Sequence, residues 1–406
     1  MTHADPQTMP LFATSQGFWH YVLRRWTSRI ECGRLHLIYP NGDSEEVKGN
    51  RPGPEAVLQL NNFRPIWRLA FGGTLGFSKS YIEGDWESPD VATFLEFALA
   101  NEQKLETVIE PSFRPLKTLA RLRHRLRRNS RAGSRKNIAY HYDLGNAFYG
   151  QWLDETMTYS SALYGWPGQD LAAAQNAKYD RIVSELGITS EDHVLEIGCG
   201  WGGFAERAAQ TTGCRVTCLT LSKEQAAFAR ERMERSGLTD KVEIRLEDYR
   251  DCQGVYSKIV SIEMFEAVGE ENWPVYFDRV RELLAPHGEA MIQVITIDEA
   301  QFDTYRRDAD FIQTYIFPGG MLPSVTVLEE KARASNLSVA DTFRFGRDYE
   351  RTLLEWDDRF TARWHEIEPL GFDQRFNRMW RYYLHYCAAG FRTGRLDVVQ
   401  FRLRSH

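Results

Sequence analysis

Residues 193–203 read HVLEIGCGWGG: an apolar run, then four glycines within six positions. Such a stretch reads as a strand that turns sharply into a helix, because glycine lets the backbone turn tightly and approach a ligand. The helix-like FAERAAQTT follows. Strand-like segments then recur at RVTCLTL, VEIRLED, KIVSIEM and GEAMIQVITI, with helix-like KEQAAFARERMERS and WPVYFDRVRELLAP among them. Repeated strand, glycine loop and helix predicts an α/β, Rossmann-like domain with a parallel sheet and helices on both faces.

The loop also restricts its ligand. A dinucleotide loop reads G-x-G-x-x-G. Here Gly198, Gly200 and Gly202 alternate, so the third glycine comes one position early, and Glu196 stands two residues before the first. This pattern favours S-adenosylmethionine, a neutral nucleoside joined to a sulfonium amino acid, over a pyrophosphate cofactor. The second strand ends Thr220-Leu221-Ser222 where a ribose-binding carboxylate is expected, which leaves hydroxyls and Gln225 for the ribose. After the third strand, Asp248 is placed to accept the adenine amino group. Together these predict a class I methyltransferase domain, with another nucleotide-binding α/β domain as the competing reading.

A chain of 406 residues is too long for one compact core, so a second domain is expected. The boundaries predicted are 1–112 for a smaller N-terminal accessory domain, mixed but mainly helical, 113–137 for a basic segment and linker, and 138–406 for the methyltransferase domain. RLHLIYPNGDSEEVKG alternates like a strand and breaks at an Asn-Gly turn. A helix is expected from Pro89, with Asp90 at its start, where a negative side chain suits the helix dipole.

From Arg114 to Lys136 there are ten Arg or Lys residues and no Asp or Glu. Leu116, Leu119, Leu122 and Leu126 fall at helical spacing. A basic amphipathic helix is predicted. A solvated linker, an anionic membrane surface and nucleic acid each remain open as its role, although no nucleic-acid-binding module is recognisable. No run of about 18 apolar residues predicts a transmembrane helix, and the start lacks the pattern of a secretory signal. The six cysteines form no CxxC pair and no zinc-like cluster, so reduced thiols in a cytoplasmic protein and no metal site are expected.

Several stretches go beyond generic methyltransferase signals. YHYDLGNAFYGQWLDETMTYSSALY, LEIGCGWGG, LTLSKEQ, FEAVGEENWPVYFDRVRELL, YIFPGGMLPS, FGRDYERTL and RYYLHYCAAGFRTGRLDVVQFRL occur in this order. The set resembles the cyclopropane-fatty-acyl-phospholipid synthase family from about residue 138 to the end. The resemblance implies S-adenosylmethionine-dependent methyl or methylene transfer to the cis double bond of a phospholipid acyl chain, at the inner face of a membrane. It implies cofactor contacts at Tyr159, Ser160, Gly198, Gly200, Thr220, Leu221, Gln225, Asp248 and Tyr249. It also implies a bicarbonate ion held between a Cys, a Glu, a His, a backbone group and a Tyr. The matching positions are Ser161, Glu266, Gln293, Ile295 and Tyr349, so Ser and Gln replace the family's Cys and His.

Methylation of an alkene leaves a carbocation, which aromatic faces stabilise. Tyr140, Tyr142, Phe265, Tyr315 and Phe317 are cage candidates, each weighed against ordinary core packing. The cation must then lose a proton, and Glu266 is the expected base, acting directly or through bicarbonate. The competing role for Glu266 is a salt bridge to Arg250 or Arg279. His141 and Asp143 are expected to position groups over the cofactor, and Cys199 to pack. Two other functions stand beside lipid modification: N-methylation of a small amine, and non-catalytic lipid binding. The product is left open between a cyclopropane and a methyl-branched or methylene chain. A homodimer is compatible with all of these.

Overall fold

The computed structural model describes residues 15–109, 144–307 and 310–405. The basic run 114–136 and the residues 140–143 lie outside the described residues. The described chain divides into two units.

The first unit begins with α1 (Ser15–Thr27), β1 (Cys32–Ile38), β2 (Ser44–Lys48) and β3 (Arg51–Leu60). It continues with α2 (Arg64–Ile82), β4 (Trp86–Glu87), α3 (Val91–Ala100) and α4 (Glu102–Ile109). The sheet order is β2-β1-β3-β4, with β1 parallel to β3 and antiparallel to β2. The β1–β2 turn is set by Asn41-Gly42, where Gly42 takes φ +89°, a conformation a Cβ disfavours. Asp90 caps α3, accepting from Thr93 N at 2.9 Å. A cap of this kind contributes about 1 kcal/mol.

The second unit carries α5 (Asn146–Trp152), α6 (Leu171–Leu186), β5 (His193–Ile197), α7 (Gly203–Thr212), β6 (Arg215–Thr220) and α8 (Lys223–Arg235). Then come β7 (Val242–Leu246), β8 (Tyr256–Ile262), α9 (Trp273–Leu283), β9 (Leu284–Ile297) and α10 (Glu299–Tyr305). The chain ends with α11 (Val325–Ala334), β10 (Leu337–Arg344), α12 (Gly346–Ala362), α13 (Gln374–Arg392) and β11 (Leu396–Ser405). The seven strands run in the order β10-β11-β9-β8-β5-β6-β7. β9, β8, β5, β6 and β7 are mutually parallel, and β11 runs antiparallel to both its neighbours. This is an α/β Rossmann-like sheet with one antiparallel strand inserted near its edge.

Apolar residues cover both faces of that sheet. Ala205, Ala208, Ala226 and Ala229 of α7 and α8 pack with Tyr179 and Ile182 of α6 on one core. Trp273, Phe277 and Val280 of α9 pack with Leu328 and Ala332 of α11 on the other. Chain order reverses between β5 and β8, and such a switch point opens a crevice at the strand ends.

One boundary differs from the sequence reading. Residues 373–389, most of α13, group with the N-terminal unit rather than with the rest of 138–406. Arg378 explains the attachment. Its guanidinium donates to Tyr81 O at 2.6 Å and Trp86 O at 2.9 Å, and it pairs with Glu87 at 3.0 Å. Tyr382 packs its ring on Tyr81, with centroids 5.3 Å apart. The motif RYYLHYCAAGF is amphipathic, but amphipathicity does not say which unit receives the apolar side.

Candidate active site

The ends of β5, β6 and β8 and the loop after β7 open onto one cavity. Gly198 and Gly200 follow β5 with φ +84° and +53°. A Cβ at Gly198 would meet Met264 Cγ at 2.7 Å, whereas a Cβ at Gly200 would enter open space. Since Gly200 lines the cavity, a side chain there would fill the space a ligand needs. Tyr159, Ser160, Glu196, Gly198, Thr220, Leu221, Gln225, Asp248 and Tyr249 line the same cavity. Gly202 does not, and a Cβ on it would press on Ala229 and Met233 at 3.2 Å. Its role is to let α8 pack close.

Two groups at one end suit a nucleoside. Thr220 Oγ1 donates to Gln225 Oε1 at 2.9 Å, which leaves the Gln225 amide N–H groups available to a ligand. Asp248 takes the Arg250 guanidinium at 2.8 and 2.6 Å and the Arg250 N–H at 3.0 Å, which fixes its carboxylate in the cavity wall. Glu196, also in the cavity wall, is buried, and burial pushes its carboxyl up to about 8. A ligand cation beside it would favour the charged form.

Ser160 lines the cavity and Ser161 does not, and the two are tied down differently. The Ser160 carbonyl accepts from Gln175 Nε2 at 2.9 Å, and its Oγ accepts from Lys178 Nζ at 2.7 Å. Ser161 Oγ donates to Ala162 O at 3.0 Å, so its hydroxyl is committed to its own chain. The Ser161 backbone N–H instead donates to Glu263 Oε1 at 2.9 Å.

Glu263 is where the expected ion-binding positions converge. Gln293 Nε2 donates to its Oε1 at 2.8 Å, and Tyr349 O–H donates to its Oε2 at 2.6 Å. Gln400, opposite Gln293 in the β9–β11 register, donates to Gln293 Oε1 at 3.1 Å and so orients the amide. Tyr349 is set by α12 and stacks on Phe391, with centroids 4.6 Å apart. Glu263 lines the cavity and holds φ +50°, sparsely populated for a residue with a side chain. Burial raises its carboxyl above the ordinary value, while the Tyr349 hydroxyl, the Lys178 charge, the Ser161 N–H and the Gln293 amide pull it down.

Glu266, expected to be the base, occupies a different place. Its Oε1 accepts the Ile295 N–H at 2.6 Å, and it is absent from the cavity lining. Burial, then the negative charge of Glu263, pushes it up to about 8. Its alternative partners are engaged elsewhere: Arg250 with Asp248, Arg279 with Glu282 and Cys252 O. The segment SIEMFEAVG holds two glutamates three residues apart, and the sequence reading took the second. The signal for the first was its position directly after an apolar strand.

Among the cage candidates, Phe265 packs in the core with Trp273 and Phe277. Tyr315 and Phe317 are also not part of the cavity lining; the rings that are include Tyr159, Tyr179, Trp201 and Tyr249. Among the described residues no His/Cys/Asp/Glu cluster could hold a metal.

Residues 129–401 match the family model described as mycolic acid cyclopropane synthetase. The chain belongs to the mycolic acid cyclopropane synthetase family. Tuberculostearic acid methyltransferase UfaA1 of Mycobacterium tuberculosis is 37% identical over 417 residues, covering 97% of this chain and 92% of the relative. The cyclopropane-fatty-acyl-phospholipid synthase of Escherichia coli K12 is 34% identical over 355 residues, covering 87% and 88%. A crystal structure of mycolic acid cyclopropane synthase CmaA1 with S-adenosylhomocysteine superposes with TM-score 0.63 at 31% identity, over 67% of this chain and 98% of that one. This synthetase-family chain is an S-adenosylmethionine-dependent methyltransferase. The open cradle at Gly200 fits that cofactor.

Proposed function

We propose that this chain transfers a methyl carbon from S-adenosylmethionine to the double bond of an unsaturated phospholipid acyl chain, with Glu263 as the base. When bound, the cofactor supplies an electrophilic methyl group to the alkene, which leaves a carbocation on the acyl chain. The carbonyl and aromatic surfaces of the cavity exclude water from that cation, and ring faces stabilise it. Glu263 takes a proton from a carbon beside the cation, and the C–H electron pair becomes a new double bond. The product is then a methyl-branched alkene, or, when a 1,2-hydride shift first moves the cation to the methyl-bearing carbon and the proton leaves the methyl group, a methylene chain, rather than a cyclopropane.

One observation carries this reading: Glu263 accepts the Ser161 N–H, the Gln293 amide and the Tyr349 hydroxyl. Bicarbonate, implied by the family resemblance, does not fit there, because a resident carboxylate takes those donors and Glu266 takes the Ile295 N–H. A base tethered to the chain approaches the cation from one direction, and that direction selects the proton. A relative that matches 97% of this chain is named a methyltransferase and not a cyclopropane synthase. The test is incubation with vesicles of a monounsaturated phospholipid and labelled cofactor, then identification of the acyl product. A cyclopropane as the sole product would sink this reading, and cofactor binding without any labelled lipid would redirect it to an amine.

The base must be ionised to act. Burial holds its carboxyl above the ordinary carboxylate value, so turnover should rise with pH along a limb above the ordinary range of about 4. The negative charge of Glu263 adds to burial in raising the Glu266 carboxyl. A single-turnover pH profile with its rising limb at an ordinary carboxylate value would count against Glu263 as the base.

We further propose that the basic run 114–136 brings the protein to an anionic membrane surface. Among the described residues no helix is long and apolar enough to cross a membrane. Each basic side chain near such a surface contributes about 1 kcal/mol. Replacing Arg121, Arg125 and Arg128 with Gln should weaken sedimentation with anionic vesicles, as should high salt. Equal sedimentation of both proteins would refute it.

A further inference from the structure

Lys178 is a buried cation that the methyl-transfer reading leaves unused. It stands on α6, with no exposed surface. Its Nζ donates to Ser160 Oγ and to Gln175 Oε1, both at 2.7 Å. Gln175 Nε2 in turn donates to Ser160 O at 2.9 Å. The three residues close a ring that holds Ser160 by both its carbonyl and its hydroxyl. The Lys178 ammonium has no proton acceptor to spare, so Ser160 Oγ can only accept from it. The hydroxyl proton of Ser160 is therefore left to donate elsewhere, and Ser160 lines the cavity.

Burying an ammonium costs several kcal/mol unless it is compensated, so a merely structural role for Lys178 is expensive. The charged groups that face it are Glu263, Asp154 and Glu196. Glu196 lines the cavity too. The cavity wall thus presents a carboxylate and a hydroxyl backed by a buried cation, and that cation lies within electrostatic reach of the carboxylate. That pair matches an amino acid: an ammonium toward Glu196 and a carboxylate toward Ser160.

We propose that Lys178 is a positioning residue that, through Ser160, selects ligands carrying an amino-acid carboxylate. It polarises the Ser160 hydroxyl toward that carboxylate and holds the Ser160–Ser161 backbone that delivers an N–H to Glu263. The inference rests on the cofactor reading of the cavity. It also predicts proton uptake at Lys178. Burial lowers the Lys178 pKa to about 7 against the opposing pull of Glu263, Asp154 and Glu196. A ligand carboxylate nearby would raise it again and take up a proton near pH 8, while a ligand ammonium beside Glu196, whose carboxyl stands at about 8, would release one, so the Lys178 share is the difference that removing Lys178 makes.

The test compares S-adenosylhomocysteine with 5′-methylthioadenosine, which has the same nucleoside and thioether but no amino acid. Calorimetry on the full chain with Lys178→Met should show a loss of about tenfold or more for S-adenosylhomocysteine and little change for methylthioadenosine. The net proton exchange on binding near pH 8, read from buffers of different ionisation enthalpy, should shift toward release in the variant. Equal weakening of both ligands would mean a structural role only, and no weakening of either would mean none; each overturns the inference. If Lys178→Met does not fold, Ser160→Ala carries the same comparison, since it removes the hydroxyl and leaves the charge. Failure of the unaltered protein to bind either ligand would instead overturn the cofactor reading itself.

Discussion

Replacing Glu263 with Gln is expected to slow methyl transfer by about 10²–10⁴-fold, the usual contribution of a positioned base, while S-adenosylhomocysteine binding stays intact. Gln keeps the shape and, with its oxygen in the Oε1 position, an acceptor for the Ser161 N–H and the Gln293 amide, while its NH2 group meets the Tyr349 hydroxyl, which can turn to accept, so the loss would report basicity more than packing. Glu263→Gly is the sharper companion. It removes the carboxylate, relieves the φ of +50°, and leaves the donors of Ser161, Gln293 and Tyr349 facing a gap. Added bicarbonate or formate should then restore part of the rate to Glu263→Gly and none to Glu263→Gln. Glu266→Gln should slow the reaction far less, since that carboxyl is held by the Ile295 N–H. Rapid-quench single turnovers with labelled cofactor would measure all three. A Glu263→Gln enzyme at near-normal rate, or a Glu266→Gln enzyme with the larger loss, would return the base to Glu266.

Gly200→Val should abolish cofactor binding in a folded protein. Gly200 lines the cavity, and a Cβ built on it meets nothing within 4 Å, so a valine side chain would stand where the ligand belongs. The φ of +53° adds backbone strain of about 1–2 kcal/mol, which calls for a control. Gly187 ends α6 with φ +58° and also has nothing within 4 Å of an added Cβ, but it is not part of the cavity lining. Gly187→Val carries the same strain and should bind normally. Calorimetric titration of both variants with S-adenosylhomocysteine separates the two effects. Undiminished binding to Gly200→Val would refute the assignment of the loop.

Much of the catalytic unit was legible from local pattern. HVLEI at 193–197 coincides with β5, and KEQAAFARERMER with α8. The Asn-Gly turn and the Asp90 cap of the first unit were equally readable. Each depends on residues a few positions apart, whose backbone preferences and apolar spacing act within one element. The glycine loop belongs with them, because φ at Gly198 and Gly200 is a local demand.

The proposed base was not legible in this way. Glu263 and Glu266 have the same chemistry and lie in one short segment, and only their surroundings distinguish them. Those surroundings come from Ser161, 102 residues away in sequence, from Gln293, 30 away, and from Tyr349, 86 away. Lys178 is hidden for the same reason, since AQNAKYD on a helix looks like a solvated face until the 159–161 stretch covers it. The attachment of α13 to the N-terminal unit rests on Arg378 reaching carbonyls 297 and 292 residues distant. Sequence alone determined the elements and the cofactor-loop chemistry, because backbone propensity and glycine conformation are properties of neighbours. The tertiary structure decided which carboxylate meets the donors and which lysine is buried, because desolvation and hydrogen-bond convergence depend on strand order and long-range packing, which no short window contains.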